Sequence, residues 1–230
     1  MEKAKISEVF ISYQGEGLYA GSRQLFIRFY GCNRKCSYCD TALDSYKSFS
    51  KDSLISKILG FEEDFNELVL TGGEPLLYAD FLAIFLKQYK YYKKKHVYLE
   101  TNGTLPDELA KVIGLIDIIA MDLKLPSSTG EKDDMWDEHK RFLTIACEKE
   151  LILKAVVTGN TTMDDIKELA DTISGVKGSP ELIIQPVTRE NNSIEEPDPE
   201  MLSYFSQYLK KKTAANVTVL GQMHKCLGIK

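Results

Sequence analysis

Short apolar segments alternate with amphipathic ones along almost all of this 230-residue chain, and that alternation limits the fold more than any other feature. Strand-like runs fall at residues 6–10, 24–29, 67–70, 96–99, 116–121, 151–157, 181–184 and 216–220. Between them, Leu54, Ile55, Ile58 and Leu59 repeat at helical spacing, as do Phe81, Leu82, Phe85, Leu86 and Tyr89. A further helix is expected over 136–147, and Thr162 caps another that carries Ile166, Leu169 and Ile173. Asp198-Pro199 opens the last helix as N-cap and first-turn proline. Thr104, with Asp107 three residues on, reads as a capping box. Strands separated by helices make a parallel sheet with covering helices. The expectation is a single α/β domain over 1–230, a partial TIM-barrel-like fold of about six parallel strands.

In such sheets ligands gather at the carboxyl ends of strands. Each polar or glycine-rich motif of this chain follows a strand-like run. Tyr13-Gln14-Gly15-Glu16-Gly17 follows the first, Thr71-Gly72-Gly73-Glu74-Pro75 the third, and Glu100-Thr101-Asn102-Gly103 the fourth. Asp122-Leu123-Lys124 and Gln185-Pro186 close two more. One active face is the simplest arrangement that accounts for this placement.

The segment after the second strand is the richest in chemistry. It carries three of the five cysteines, Cys32, Cys36 and Cys39, in a C-x3-C-x2-C run. Three thiolates on one loop can each hold one iron of a cubane and leave the fourth iron without a protein ligand. Structural zinc wants four ligands, usually as two separated pairs, and no second pair exists: Cys147 falls in an expected helix and Cys226 stands alone. Spacing favours a cluster over zinc and leaves both open.

Composition narrows the remaining classes. With 29 basic and 34 acidic side chains, net −5, no general attraction to nucleic acid is expected. The basic run Lys87 to His96 sits at the end of an expected helix, where cations complement the dipole. The first residues lack a signal-peptide core, no apolar run approaches spanning length, and an odd set of clustered cysteines suits reduced thiols. A soluble cytoplasmic protein with no membrane contact is therefore expected.

The cysteine run, with Tyr38 before its last cysteine, resembles the signature of radical S-adenosylmethionine (SAM) enzymes, and Gly72-Gly73-Glu74-Pro75 resembles their second mark. The segment from Glu8 to Gly17, Phe26-Ile27-Arg28, Gly31-Cys32-Asn33 and Cys39-Asp40-Thr41 are together similar to the 7-carboxy-7-deazaguanine synthase family. Glu100-Thr101-Asn102-Gly103, Asp122-Leu123-Lys124, Gln185-Pro186 and Gln222-Met223-His224-Lys225 extend the likeness over nearly the whole chain.

That resemblance implies a radical SAM fold, a [4Fe–4S] cluster on Cys32, Cys36 and Cys39, SAM, and Mg²⁺ on the Thr41 hydroxyl. It implies a carbon–nitrogen lyase that contracts the ring of 6-carboxy-5,6,7,8-tetrahydropterin to 7-carboxy-7-deazaguanine with loss of ammonia, on the way to modified tRNA nucleosides. No catalytic side chain beyond cluster and SAM is implied. Substrate contacts fall to Tyr13, Gln14, Gly15, Arg28, Thr71 and His224. SAM contacts fall to Tyr38, Cys39, Asp40, Gly73, Glu100, Thr101, Asn102, Asp122, Leu123, Lys124, Gln185 and Pro186. Arg28 suits its part because a guanidinium in an apolar strand needs an anion, and a carboxylate matches it bidentately; an outward-facing arginine is the alternative. An external one-electron donor of flavodoxin or ferredoxin type and a homodimer are further expectations. A glycyl-radical-enzyme activase or a zinc module are the competing readings.

Overall fold

The computed structural model describes residues 2–41, 43–188 and 194–222. Among them nine strands form one sheet. β1 (Lys3–Tyr13) and β2 (Arg23–Phe29) make an antiparallel hairpin, and β3 (Lys47–Ser50) adds antiparallel to the other side of β1. From β2 onward every neighbour is parallel: β4 (Glu67–Gly72), β5 (His96–Thr101), β6 (Ile118–Asp122), β7 (Glu150–Val157), β8 (Glu181–Pro186) and β9 (Asn216–Val219). The order is β3-β1-β2-β4-β5-β6-β7-β8-β9.

The parallel part therefore has seven strands where about six were expected, and two antiparallel strands extend it. β1 runs well beyond residues 6–10 because β2 pairs with it from Ile6 to Tyr13 and β3 from Lys3 to Ile6. β3 has one apolar residue, Phe49, in four, so it left no alternation to read.

The helices are α1 (Lys51–Leu59), α2 (Ala79–Tyr92), α3 (Pro106–Val112), the short α4 (Pro126–Thr129), α5 (Trp136–Ala146), α6 (Met163–Ser174) and α7 (Pro199–Lys212). Thr162 and Asp198 cap α6 and α7 as their side chains suggest, accepting from Asp165 N and Glu200 N. Thr104 does not cap α3, whose N-cap is Leu105 with Pro106 in the first turn. Its hydroxyl instead donates to Asn102 Oδ1 at 2.6 Å. No helix of the described residues is long and apolar enough to cross a membrane.

The period of two divides each strand between two environments. Leu25, Ile27 and Phe29 of β2, Leu68 and Leu70 of β4, and Leu153, Ala155 and Val157 of β7 face the helices in the main core. Phe81, Phe85 and Tyr89 of α2 pack there at 0–1% exposure, each worth about 1.5–3 kcal/mol of burial. The alternate residues, Phe26, Val69, Tyr98, Ile118, Ile152 and Ile183, form a second cluster on the opposite face, one from each of β2 and β4 to β8. In-register pairs Phe26–Val69, Val69–Tyr98 and Tyr98–Ile118 make this a continuous apolar floor.

Candidate active site

Above that floor lies a cavity of about 570 Å³, within the roughly 300–1,000 Å³ usual for small-molecule sites. Phe26, Tyr98, Ile152 and Ile183 form its base, and its walls are polar groups from the strand ends, the loop after β1 and the cysteine loop.

The cysteine loop begins where β2 meets the end of β4. Gly73 N donates to Phe29 O at 3.0 Å and Glu74 N to Gly31 O at 2.9 Å. A Cβ on Gly73 would collide with the Gly31 carbonyl, and one on Gly72, at φ 119°, with the Phe29 backbone. Only glycine lets the two segments approach this closely. The residues between the cysteines are then tied from outside. Asn33 Nδ2 donates to Thr104 Oγ1 at 2.8 Å. Arg34 Nε and Nη2 both reach Glu131 Oε2 at 2.8 Å, while Lys35 N donates to Glu131 Oε1 at 3.0 Å. Ser37 N donates to Thr129 O at 2.8 Å.

Cys32, Cys36 and Cys39 all line the cavity and form no disulfide. The loop is thus shaped by its other side chains, with three thiols presented to one space. Among the described residues no three His, Cys, Asp or Glu side chains converge on a single ion; a cubane takes each thiolate on a different iron. Cys147 lies elsewhere, exposed, with its thiol donating to Thr144 O at 3.2 Å. The donor set fits a three-cysteine cluster. Burial pushes the Cys36 thiol up to about 11 and raises Cys32 as well, so both depend on metal charge to become thiolates.

Charged groups form a chain across the cavity. Glu16 Oε2 meets Lys154 Nζ at 2.9 Å, Lys154 lies 3.7 Å from Asp122 Oδ2, and Asp122 pairs with Lys124 at 2.9 Å. Lys124 sits 5.3 Å from the Tyr38 ring centroid. Gln222 Nε2 bridges Glu16 Oε1 at 2.6 Å and Asp40 Oδ2 at 3.1 Å, joining the chain after β9 to both loops. Burial alone would raise the Glu16 carboxyl, but Lys154 and Gln222 outweigh it and hold it low. Burial would likewise lower Lys154 and Lys124, yet Glu16 and Asp122 respectively keep them raised. Glu74 differs: burial lifts it to about 7 despite hydrogen bonds from Asn102 N, Leu76 N and Thr101 Oγ1.

The residues expected at the site fall into clear groups. Tyr13, Gln14, Gly15, Arg28, Thr41 and Thr71 line the cavity. So do Tyr38, Asp40, Gly73, Glu100, Thr101, Asn102, Asp122, Lys124 and Gln185. Arg28 shares its face of β2 with Phe26, so the outward orientation is not adopted; its Nε lies 3.2 Å from Glu8 Oε2 without making a hydrogen bond. Glu100, expected beside SAM, accepts from Gln14 Nε2 at 2.9 Å and from Thr71 Oγ1 at 2.5 Å, two residues expected beside substrate. Leu123 points away from the cavity into the main core, and Pro186 ends β8 outside the wall. His224 and Cys226 lie outside the described residues. Lys154 and Arg34 were not anticipated. Lys154 carried the same signal as Arg28, a lone cation in an otherwise apolar strand.

A family model described as the Radical SAM superfamily matches residues 26–173, so the fold and the cysteine loop define a radical SAM enzyme, with a [4Fe–4S] cluster and SAM as its cofactors. A 7-carboxy-7-deazaguanine synthase of Geobacter sulfurreducens is 35% identical over 98% of this chain and 97% of its own. One of Methanothermobacter thermautotrophicus is also 35% identical, over 99% and 98%. The crystal structure of QueE from Escherichia coli shares the fold, with TM-score 0.63 at 18% identity over 96% of this chain and 95% of that one. The chain belongs to the 7-carboxy-7-deazaguanine synthase family.

Proposed function

We propose that this chain, acting as one domain, converts 6-carboxy-5,6,7,8-tetrahydropterin to 7-carboxy-7-deazaguanine with release of ammonia. The observation that carries the reading is the meeting of three thiols, an arginine with an unused donor and an amide–carboxylate pair in one cavity. Cys32, Cys36 and Cys39 hold the cluster. When bound, cluster and SAM supply the hydrogen-atom abstraction that starts the reaction. Arg28, inward-facing at the mouth of β2, takes the substrate carboxylate in a charge-assisted pair. Gln14, its side chain held by Glu100 and its backbone paired with Ser22 and Gly21, anchors the loop after β1 so that the neighbouring Gly15 backbone can meet the alternating donors and acceptors of a pterin edge.

Tyr13, Gly15 and Thr71 complete the substrate side, and Thr41 offers its hydroxyl to Mg²⁺, which keeps few protein ligands. On the SAM side stand Tyr38, Asp40, Gly73, Thr101, Asp122, Lys124 and Gln185. The apolar floor excludes water and competing hydrogen donors from the reacting carbon. The reductant is an external flavodoxin- or ferredoxin-type donor, and the setting is the cytoplasm, with a homodimer as the working assembly.

The test is anaerobic reconstitution followed by incubation with SAM, reductant and carboxytetrahydropterin. Formation of 7-carboxy-7-deazaguanine is expected; an intact cluster that cleaves SAM without forming it would sink the assignment.

A further inference from the structure

Asn102 closes a ring of hydrogen bonds beside the first cysteine. Its backbone N–H donates to Glu74 Oε2 at 2.8 Å, and its carbonyl accepts from His139 Nε2 at 3.2 Å. Its Oδ1 accepts from Thr104 N at 3.1 Å and from Thr104 Oγ1 at 2.6 Å. Because a backbone N–H can only donate, the atom facing it is the oxygen, and the amide orientation is fixed. The Nδ2 group is thereby turned toward the cysteine loop, where it donates to Asn33 Oδ1 at 2.8 Å and approaches Cys32 Sγ at 3.8 Å. Asn33 completes the ring by donating to Thr104 Oγ1 at 2.8 Å.

This leaves the side chain nothing to offer SAM. An asparagine amide has two N–H bonds and one oxygen with two lone pairs; here protein groups take all four. Asn102 and Thr104 are each 5% exposed, so the two bonds onto Asn102 Oδ1 are buried, while Asn33 closes the ring from the exposed side. The same sulfur receives a second donor, Arg34 N at 3.4 Å, and Arg34 is itself fixed by Glu131.

We propose that Asn102 is a positioning residue of the iron–sulfur cluster, setting its reduction potential through the Cys32 sulfur, and is not a side-chain contact of SAM. The inference rests on the cluster assigned above. N–H groups aimed at a cluster sulfur stabilise the more negative reduced form, and so raise the potential. The ring Asn33–Asn102–Thr104 lets the end of β5 act on the cluster through the cysteine loop.

The experiment compares anaerobically reconstituted wild type, Asn102→Ala and Thr104→Val by EPR-monitored redox titration and by calorimetric titration with SAM. Thr104→Val keeps the amide but removes the hydroxyl that both donates to Asn102 and accepts from Asn33, so it remains informative if Asn102→Ala fails to fold or to hold iron. Both variants are expected to titrate at a more negative potential, with SAM affinity within twofold of wild type. A tenfold or greater loss of SAM affinity with an unmoved potential overturns the proposal, as do unmoved values of both. A wild-type protein that takes up no cluster refutes the proposed function itself, which an unshifted variant with an intact cluster does not.

Discussion

Lys154 Nζ stands 2.9 Å from Glu16 Oε2, joining the middle of β7 to the loop after β1 across 138 residues of chain. The pair holds the loop that carries Gln14 and Gly15 over the apolar floor. Removing the cation leaves a partly buried carboxylate that, among the described residues, still accepts from Gln222. Lys154→Met should lower stability by about 3 kcal/mol, the usual cost of orphaning a buried charge, measured by urea denaturation. The sign with pH follows from the depressed carboxyl of Glu16. Its contribution is present above the ordinary glutamate value of 4.5 and is lost as pH falls through the lower folded value. The wild type and Lys154→Met should therefore converge in stability in acid.

Glu74 gives the opposite slope. Its folded value of about 7 lies above the ordinary 4.5, so the native state binds the extra proton between them. Stability from this group should fall as pH rises from 4.5 to about 7 and level off above. Glu74→Gln removes the titration, and the difference in stability between wild type and variant should stop changing outside that window. A wild-type profile no steeper than the variant's would contradict the assignment.

Arg28→Lys keeps the charge and loses the planar fork. If Arg28 grips the substrate carboxylate, KM for carboxytetrahydropterin should rise about 10- to 100-fold, corresponding to the roughly 1.5–3 kcal/mol of a charge-assisted hydrogen bond. SAM cleavage without substrate should be unchanged. Steady-state kinetics with the pterin varied at saturating SAM make the comparison.

Thr41→Ala tests the Mg²⁺ assignment. The variant should lose the stimulation of product formation by Mg²⁺ while retaining its cluster absorbance. A rate still raised by Mg²⁺ to the wild-type extent would move the ion to another ligand.

Replacing any one of Cys32, Cys36 or Cys39 by Ala should abolish the visible absorbance of the reconstituted cluster. Cys147→Ala should leave the iron content intact, since that thiol is engaged with its own helix.

Much of this arrangement is legible in the sequence. The strand positions could be read because alternation is a local pattern, and the site could be placed because each polar motif closes a strand. Arg28 was found as a lone cation in QLFIRF; Lys154 in ELILKAVV gave an equal signal. Leu123 shows the limit of reading by motif. Its neighbours Asp122 and Lys124 face the cavity, and the two-residue period sends Leu123 into the core between them. Thr104 reads as a cap in sequence yet bonds to Asn102, because serine and threonine hydroxyls serve helix ends and side-chain networks equally well.

The sequence by itself determined the class of fold, the cluster loop and the strand ends at which ligands gather. Hydrophobic period, glycine placement and cysteine spacing are properties of neighbouring residues. Only the tertiary structure decided which of these polar groups meet. Arg34 and Glu131 are 97 residues apart, Gln14 and Glu100 are 86, and Gln222 and Glu16 are 206. Each pair is brought together by strand order, which sets the loops at neighbouring strand ends side by side, and nothing in either local segment records its partner.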